Sequence, residues 1–332
     1  VLGDIRTRLR CPSHRGELTW STAQRSVAGW ISCDQGCGFA IRGGIPRFVS
    51  PDHYARAFGT QWLRYRETQL DSFTGHPVSR ERLARCVGGL ETLRDKVVLE
   101  CGAGAGRFTE LLLGHSAALV SIDLSESVEA NRTNCAHHGS YLLLQADINA
   151  SPLPEGFFDV VICLGVIQHT PSPEETIASL AKHVAPGGWL VFDHYTRRSR
   201  LHAVSDRLSL AVPLRALLRR LARRRPGVAM SVTRALTAIC DPVRRRTCRH
   251  RWLDTIVGRL LPSLCYYTTY PQLPPDLVYQ WNELDTHDAL TDWFKHFRTR
   301  EQIEAILSRL GFAEITCVYA GNGVEARARR PR

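Results

Sequence analysis

Val97-Val98-Leu99-Glu100-Cys101-Gly102-Ala103-Gly104-Ala105-Gly106-Arg107-Phe108 is the stretch on which the fold turns. A hydrophobic strand delivers an acid, Glu100. Three glycines, Gly102, Gly104 and Gly106, then let the backbone pass close to a ligand before a helix opens, read over 106–113. An acid ahead of a Gly-x-Gly-x-Gly spacing suits a ligand bearing an ammonium group better than one bearing a pyrophosphate.

Working outward, strands alternate with helices. Strand Leu119–Asp123 ends on an acid about twenty residues beyond the glycines, where a carboxylate can take both ribose hydroxyls. A helix opens at Ser125. Strand Tyr141–Gln145 leads to Ala146-Asp147-Ile148, an acid for an adenine amino group beside an apolar cover. Strand Asp159–Leu164 ends at Gly165. A helix begins near Pro173 with Glu174 and Glu175 in its first turn. Pro186-Gly187-Gly188 breaks it, and strand Trp189–Asp193 follows. Thr299–Leu310 reads as a helix capped by Gly311. Two last strands, Ala313–Tyr319 and Val324–Ala328, are joined by the turn Ala320-Gly321-Asn322-Gly323 as an antiparallel hairpin.

Together these segments resemble the class I S-adenosylmethionine-dependent methyltransferases. The resemblance implies an α/β fold: a doubly wound, mostly parallel, seven-stranded Rossmann-like sheet. It also implies S-adenosylmethionine as cofactor, with Glu100, Gly102, Gly104, Gly106, Asp123, Leu124, Asp147, Ile148 and Leu164 around it. Upstream, Phe58-Gly59-Thr60-Gln61-Trp62 and Thr68–Ser72 resemble the helical lead-in of bacterial small-molecule methyltransferases, which adds Gln61 and Trp62 to the cofactor set. The domain reading is 51–95 for that lead-in, 96–195 and 294–332 for the methyltransferase domain, and 196–293 for a substrate lid inserted after the fifth strand.

Residues 1–50 carry Cys11-Pro12-Ser13-His14 and Cys33-Asp34-Gln35-Gly36-Cys37, two knuckle-like pairs with the spacing of a structural zinc site. With Ile41–Phe48 they resemble the zinc-ribbon modules that accompany methyltransferases. Cys11, His14, Cys33 and Cys37 are the expected ligands. His14 stands where such ribbons usually carry Cys, so a metal-free ribbon is the alternative. The other cysteines, such as Cys101, Cys163 and Cys317, sit singly in apolar segments and read as reduced, buried thiols.

The net charge of +11 is uneven. Arg197 to Arg251 holds sixteen arginines, no lysine, and only Asp206 and Asp241 as acids, so the remainder of the chain is slightly acidic. Within it, Pro213–Gly227 reads as a helix with proline in its first turn and Pro226-Gly227 at its end. Leu210, Leu214, Leu217, Leu218 and Leu221 share its apolar face. Such a helix suits an anionic membrane surface or an anionic acceptor. Tyr266, Tyr267, Tyr270 and Trp281, with Asp285, His287 and Asp288, are expected to line the lid's inner wall. No apolar run is long enough to span a bilayer and the first ten residues lack a secretory apolar segment, which gives a cytoplasmic expectation, peripheral to the membrane through the insertion.

His169 follows the fourth strand, and His194 and Tyr195 follow the fifth. All three are expected on the acceptor side, with His169 as the general base. The expected function is methyl transfer to a small-molecule, saccharide or lipid-linked acceptor. An RNA methyltransferase and a non-catalytic S-adenosylmethionine-binding module are the alternatives.

Overall fold

The computed structural model describes residues 2–21, 28–50, 53–196, 211–321 and 323–332. Its contacts form two compact units: Val1–His53 with Ser79–Thr196 and Phe294–Arg332, and Tyr54–Val78 with Arg197–Trp293.

The first unit opens with a helix, α1 (Leu2–Thr7), in a stretch whose mixed charged and apolar residues gave no helical expectation. An antiparallel four-stranded sheet follows: β1 (Leu18–Trp20), β2 (Ala28–Cys33), β3 (Gly38–Arg42) and β4 (Ile45–Pro46). The principal sheet has seven strands: β5 (Val97–Cys101), β6 (Ala118–Asp123), β7 (Leu142–Gln145), β8 (Phe158–Cys163), β9 (Val184–Tyr195), β10 (Ala313–Ala320) and β11 (Gly323–Arg329). Their order is β7-β6-β5-β8-β9-β11-β10. The pairs from β7 to β9 are parallel, while β11 is antiparallel to both neighbours. This is the class I methyltransferase topology. Chain order reverses between β5 and β8, where doubly wound folds open a ligand crevice. Of the expected hairpin turn, Asn322 lies outside the described residues.

Alternation along the strands feeds two apolar layers. Val98, Leu119, Val160, Ile162 and Val191 pack with Leu83, Val87 and Leu90, the first two on α4 (Val78–Val87), and with Leu112 of α5 (Thr109–Leu113). Leu99, Val120, Ile122, Leu144, Val161 and Phe192 pack with Ile177 and Leu180 of α7 (Pro173–His183), and with Ile303 and Leu307 of α12 (Arg300–Arg309). Ile5, Leu9, Ile31, Ile41 and Phe48 join this second cluster. The N-terminal sheet therefore shares the core of the larger one. It also covers the outer edge of β7: Phe48 N donates to Gln145 O at 2.8 Å, and Arg47 Nη1 to Gln145 Oε1 at 2.9 Å.

Two boundaries differ from expectation for local reasons. The helix predicted from Gly106 is only α5, because the glycine loop continues in turns to Phe108. Pro186-Gly187-Gly188 does not interrupt a helix. That helix ends at His183, and β9 runs through all three residues with a register shift against β8. At Gly188 a Cβ would meet the carbonyl oxygens of Asp159 and Ala185 at 2.8 and 2.9 Å, so the irregular strand needs glycine there.

The second unit comprises α2 (Arg56–Arg64), α3 (Asp71–Thr74), α8 (Ala211–Arg224), α9 (Pro226–Thr247), α10 (Arg251–Leu260) and α11 (Pro275–Thr291). The expected lead-in 51–95 is thus divided, its second half packing in the first unit. Pro226-Gly227 opens α9 rather than closing α8. On α8, Leu218 and Ala222 are buried but Leu217 is exposed, and Leu210 lies outside the described residues. The arginines of α8 are partly structural. Arg215 pairs with the buried Asp292, Arg219 Nε donates to Asp292 O at 2.6 Å, and Arg223 covers the Trp293 ring.

The expected lid lining is mostly core. Tyr270 stacks on the buried Trp281 with ring centroids 4.7 Å apart, Tyr267 donates to Asp241, and Tyr266 N donates to Asn282 Oδ1. His287 is fully buried against Thr233 Oγ1 at 2.9 Å, and burial pushes its imidazole down to about 4. Asp285 and Asp288 lie half-buried on α11.

Substituting Gly188→Ala should destabilise the first unit by about 2 kcal/mol, since three backbone carbonyls must shift to admit one methyl group. Urea unfolding checks this, and a midpoint equal to wild type would place the register shift elsewhere.

Candidate active site

Four strands of the first unit end side by side, and each brings a site residue to the same edge. After β5, Gly102, Gly104 and Gly106 adopt positive φ of 78°, 52° and 101°, a conformation that other residues reach only under strain. Side chains fill the space where β-carbons would stand: Val166 beside Gly102, and Cys135 beside Gly106.

Asp123 closes β6 and fixes this loop. Its Oδ2 accepts from Gly104 N at 2.9 Å, and its Oδ1 from Ser125 N and Oγ at 2.8 Å. Leu124 follows, its carbonyl accepting from Gln145 Nε2 at 3.0 Å. After β7, Asp147 Oδ1 accepts from Asn149 N at 2.8 Å, while Ile148 packs against the shared core. After β8, Leu164 is buried and Gly165 turns the chain at φ 81°.

Glu100 is placed otherwise than expected. It is fully buried, and its Oε2 accepts from Thr109 Oγ1 at 2.7 Å and Ser121 Oγ at 2.8 Å. Asn131 Nδ2 donates to the same Thr109 hydroxyl, and Tyr141 donates to Asn131 Oδ1. The acid therefore supports the loop from within, through Thr109 at the start of α5. Burial raises its carboxyl to about 7, against the opposing pull of the two hydroxyl donors.

The three residues expected on the acceptor side, His169, His194 and Tyr195, separate by environment. His169 is buried in a short 3-10 turn, and its Nδ1 lies 3.3 Å from Phe294 O. Donation there makes Nε2 the basic nitrogen. The Tyr195 ring meets His169 edge-on at 5.3 Å, and Lys295 Nζ lies 5.7 Å above that tyrosine. His194 is fully buried, with Nδ1 on Tyr195 O at 2.8 Å, and burial pushes it down to about 4. So low a value makes it a weak base at neutral pH. Gln61 and Trp62 lie on α2 in the second unit, where Trp62 packs with Tyr65, Met230 and Leu284.

Residues 99–192 match the family described as "Methyltransferase domain". This part of the chain is similar to class I methyltransferase domains. The ubiquinone biosynthesis O-methyltransferase of Thiobacillus denitrificans is 34% identical over 134 residues, which are 39% of this chain and 57% of that protein. Its counterpart in Nitrosomonas europaea is 28% identical over 135 residues, 39% and 56% of the two chains. The chain thus spans little more than half the length of these relatives. Among solved structures, the CurJ carbon methyltransferase is similar at 16% identity and TM-score 0.45, over 82% of this chain and 59% of that one. Magnesium protoporphyrin IX methyltransferase from Synechocystis is similar at 14% identity and TM-score 0.39, over 82% and 84%.

The methyltransferase domain holds a pair of residues that no sequence pattern singled out. Asp193, fully buried near the end of β9, forms an ion pair with Arg82 of α4, and its Oδ1 accepts from Gly165 N at 2.6 Å. It fixes the turn after β8 as Asp123 fixes the turn after β5. Strand alternation alone could not mark it, since a lone acid in a hydrophobic strand has no local partner.

Elsewhere in this unit, Cys11, His14, Cys33 and Cys37 gather their ligand atoms within 4.8 Å of one another. His14 Nδ1 lies 3.8, 3.9 and 3.4 Å from the sulfurs of Cys11, Cys33 and Cys37. Zinc bonds of ~2.3 Å to sulfur and ~2.0 Å to nitrogen give tetrahedral edges of about 3.6 Å. The donor set fits a structural zinc ion.

Because Glu100 holds its proton up to about pH 7 when folded and only to about 4.5 when exposed, the folded chain binds the extra proton between those values. Its contribution to stability is present below about pH 4.5 and falls as pH rises through 7. Glu100→Gln should remove that decline from a series of urea midpoints over this range. An unchanged slope in the variant would contradict the assignment.

Proposed function

We propose that this chain is an S-adenosylmethionine-dependent methyltransferase acting on a small-molecule acceptor. The observation that carries the reading is the carboxylate of Asp123, held by Gly104 N at the mouth of the glycine loop inside a domain of this family. When bound, S-adenosylmethionine supplies an electrophilic methyl group on a sulfonium.

The chain's own residues then bind and orient. Gly102, Gly104 and Gly106 let the backbone approach the cofactor, Asp123 takes the ribose hydroxyls, and Asp147 accepts from the adenine amino group. Leu124, Ile148 and Leu164 provide apolar cover, while Glu100 acts through Thr109 in shaping the loop. Gln61 and Trp62 close over the cofactor in this reading. On the acceptor side, His169 takes a proton at Nε2 from a hydroxyl or carbon acid, and Tyr195 flanks it. His194 is retained for its hydrogen bond to Tyr195 O rather than as a base.

The relatives' names speak for a small molecule. A saccharide or lipid-linked acceptor, presented at a membrane met by the basic insertion, is the narrower form. Cys11, His14, Cys33 and Cys37 hold zinc, whose four protein ligands leave no open position for catalysis.

Calorimetry should detect S-adenosylhomocysteine binding, and Asp123→Ala should weaken it at least tenfold, about 1.4 kcal/mol. Unchanged affinity in that variant would remove Asp123 from the cofactor set. With an acceptor in hand, His169→Gln should lower kcat by about two orders of magnitude while leaving S-adenosylhomocysteine affinity intact. Metal analysis of protein purified without chelator should return one zinc per chain and none for Cys33→Ser. Metal-free wild type would reduce the N-terminal sheet to a packing module.

A further inference from the structure

The second unit carries an apolar surface that is independent of the site above. On α10, Trp252, Ile256 and Leu260 recur every fourth residue and are 67%, 48% and 54% exposed. At that spacing they form one row along the helix. The helix is anchored through its other side. Asp254 pairs with Arg244 of α9 at 3.0 Å, and Gly258 lies against the same guanidinium. An ordinary surface helix buries its apolar stripe and shows its charges. This one half-buries Leu253 and Val257 and still leaves the row of Trp252, Ile256 and Leu260 exposed.

The surroundings extend the pattern. On α9, Ile239 and Val243 are 74% and 46% exposed. Eight of the fourteen exposed large hydrophobic residues among the described ones fall between Leu217 and Leu264. Arg245, Arg246 and Arg249 follow in sequence and are exposed, Arg245 5.3 Å from the Tyr267 ring centroid and Arg246 donating to Pro242 O within its own helix. The two acids of that stretch are both engaged, Asp241 by the Tyr267 hydroxyl at 3.0 Å and Asp254 by Arg244.

We propose that the α9–α10 face docks on an anionic phospholipid surface, with Trp252, Ile256 and Leu260 entering the headgroup boundary and Arg245, Arg246 and Arg249 meeting lipid phosphates. Charge and hydrophobicity together select this occupant. A nucleic acid would satisfy the arginines and leave the apolar row in water. A second copy would cover the row but bring like charges together. A bilayer takes both, with tryptophan and arginine at the depth they favour. The expected membrane contact thereby moves from α8, whose Arg215, Arg219 and Arg223 are engaged within the unit, to α9 and α10. The inference rests on the reading of the insertion as membrane-facing and does not depend on methyl transfer. A chain that binds S-adenosylhomocysteine but no vesicles overturns the docking alone.

Co-sedimentation of the full chain with phosphatidylglycerol–phosphatidylcholine vesicles tests it, with phosphatidylcholine vesicles as comparison. Wild type should bind the anionic vesicles, and binding should weaken with added salt. The triple variant W252S/I256S/L260S and the charge reversal R245E/R246E/R249E should each lose at least about tenfold in vesicle affinity. The circular dichroism melt of the serine variant should stay at the wild-type value, because its three altered residues are exposed. Brominated lipid should quench wild-type fluorescence, and Trp252→Phe should abolish most of that quenching. Equal sedimentation of wild type and the serine variant would overturn the proposal. So would a dimer in sedimentation velocity that W252S/I256S/L260S dissolves, or salt-sensitive RNA binding without vesicle binding.

Discussion

Burying a carboxylate is tolerable only when its charge and lone pairs are met, and Asp193 sets that condition for the whole carboxyl edge of the sheet. It lies near the end of β9, fully buried, between the guanidinium of Arg82 and the amide of Gly165. Arg82 comes from α4, which packs on one sheet face, and its guanidinium also lies 5.6 Å from the Phe108 ring centroid at the end of the glycine loop. Gly165 leads to Val166, whose side chain occupies the space beside Gly102. One ion pair thus ties α4, β8, β9 and the loop after β5 into a single frame. Removing either partner would leave the other buried and uncompensated, a loss of about 3–5 kcal/mol in comparable pairs.

Asp123 and Glu100 repeat the principle at β6 and β5. Each spends its carboxylate on the protein's own donors: Asp123 on Gly104 N and Ser125, Glu100 on Thr109 and Ser121. The edge is therefore held by internal hydrogen bonds. That arrangement lowers the ordering cost of binding any ligand there. It also accounts for the concentration of glycines there, since the amides can turn toward the acids only where positive φ is free of strain.

The strands were legible because period-two hydrophobicity and terminal acids are local signals. β5 has the expected bounds, β6 and β7 differ by one residue at one end, and β8 by one residue at both. The cysteine and histidine knuckles were legible by spacing, and their ligand atoms converge. What stayed hidden was non-local. Pro186-Gly187-Gly188 carries a breaker's composition, yet β9 runs through it, paired with β8 on either side and with Gly187 and Gly188 bonded to the backbone of Arg330. Leu217 shares a helical face with Leu218 in sequence, but the face that packs is narrower and takes Ala222 instead. The tyrosines and Trp281 of the insertion looked like pocket walls because aromatic residues line both pockets and cores. The partners of Tyr267 and Tyr266, Asp241 and Asn282, are too distant in sequence to reveal which. Arg82 and Asp193, 111 positions apart, had no pattern to betray them.

If the carboxyl edge of β5, β6 and β7 takes an adenosyl ligand as we propose, a crystal structure of the chain with S-adenosylhomocysteine should show ribose hydroxyls on the Asp123 carboxylate, the adenine amino group at Asp147, and Gly102–Gly106 unchanged in backbone conformation. A ligand bound away from Asp123, or a glycine loop that must rearrange and release Gly104 N before the ligand fits, would contradict that proposal.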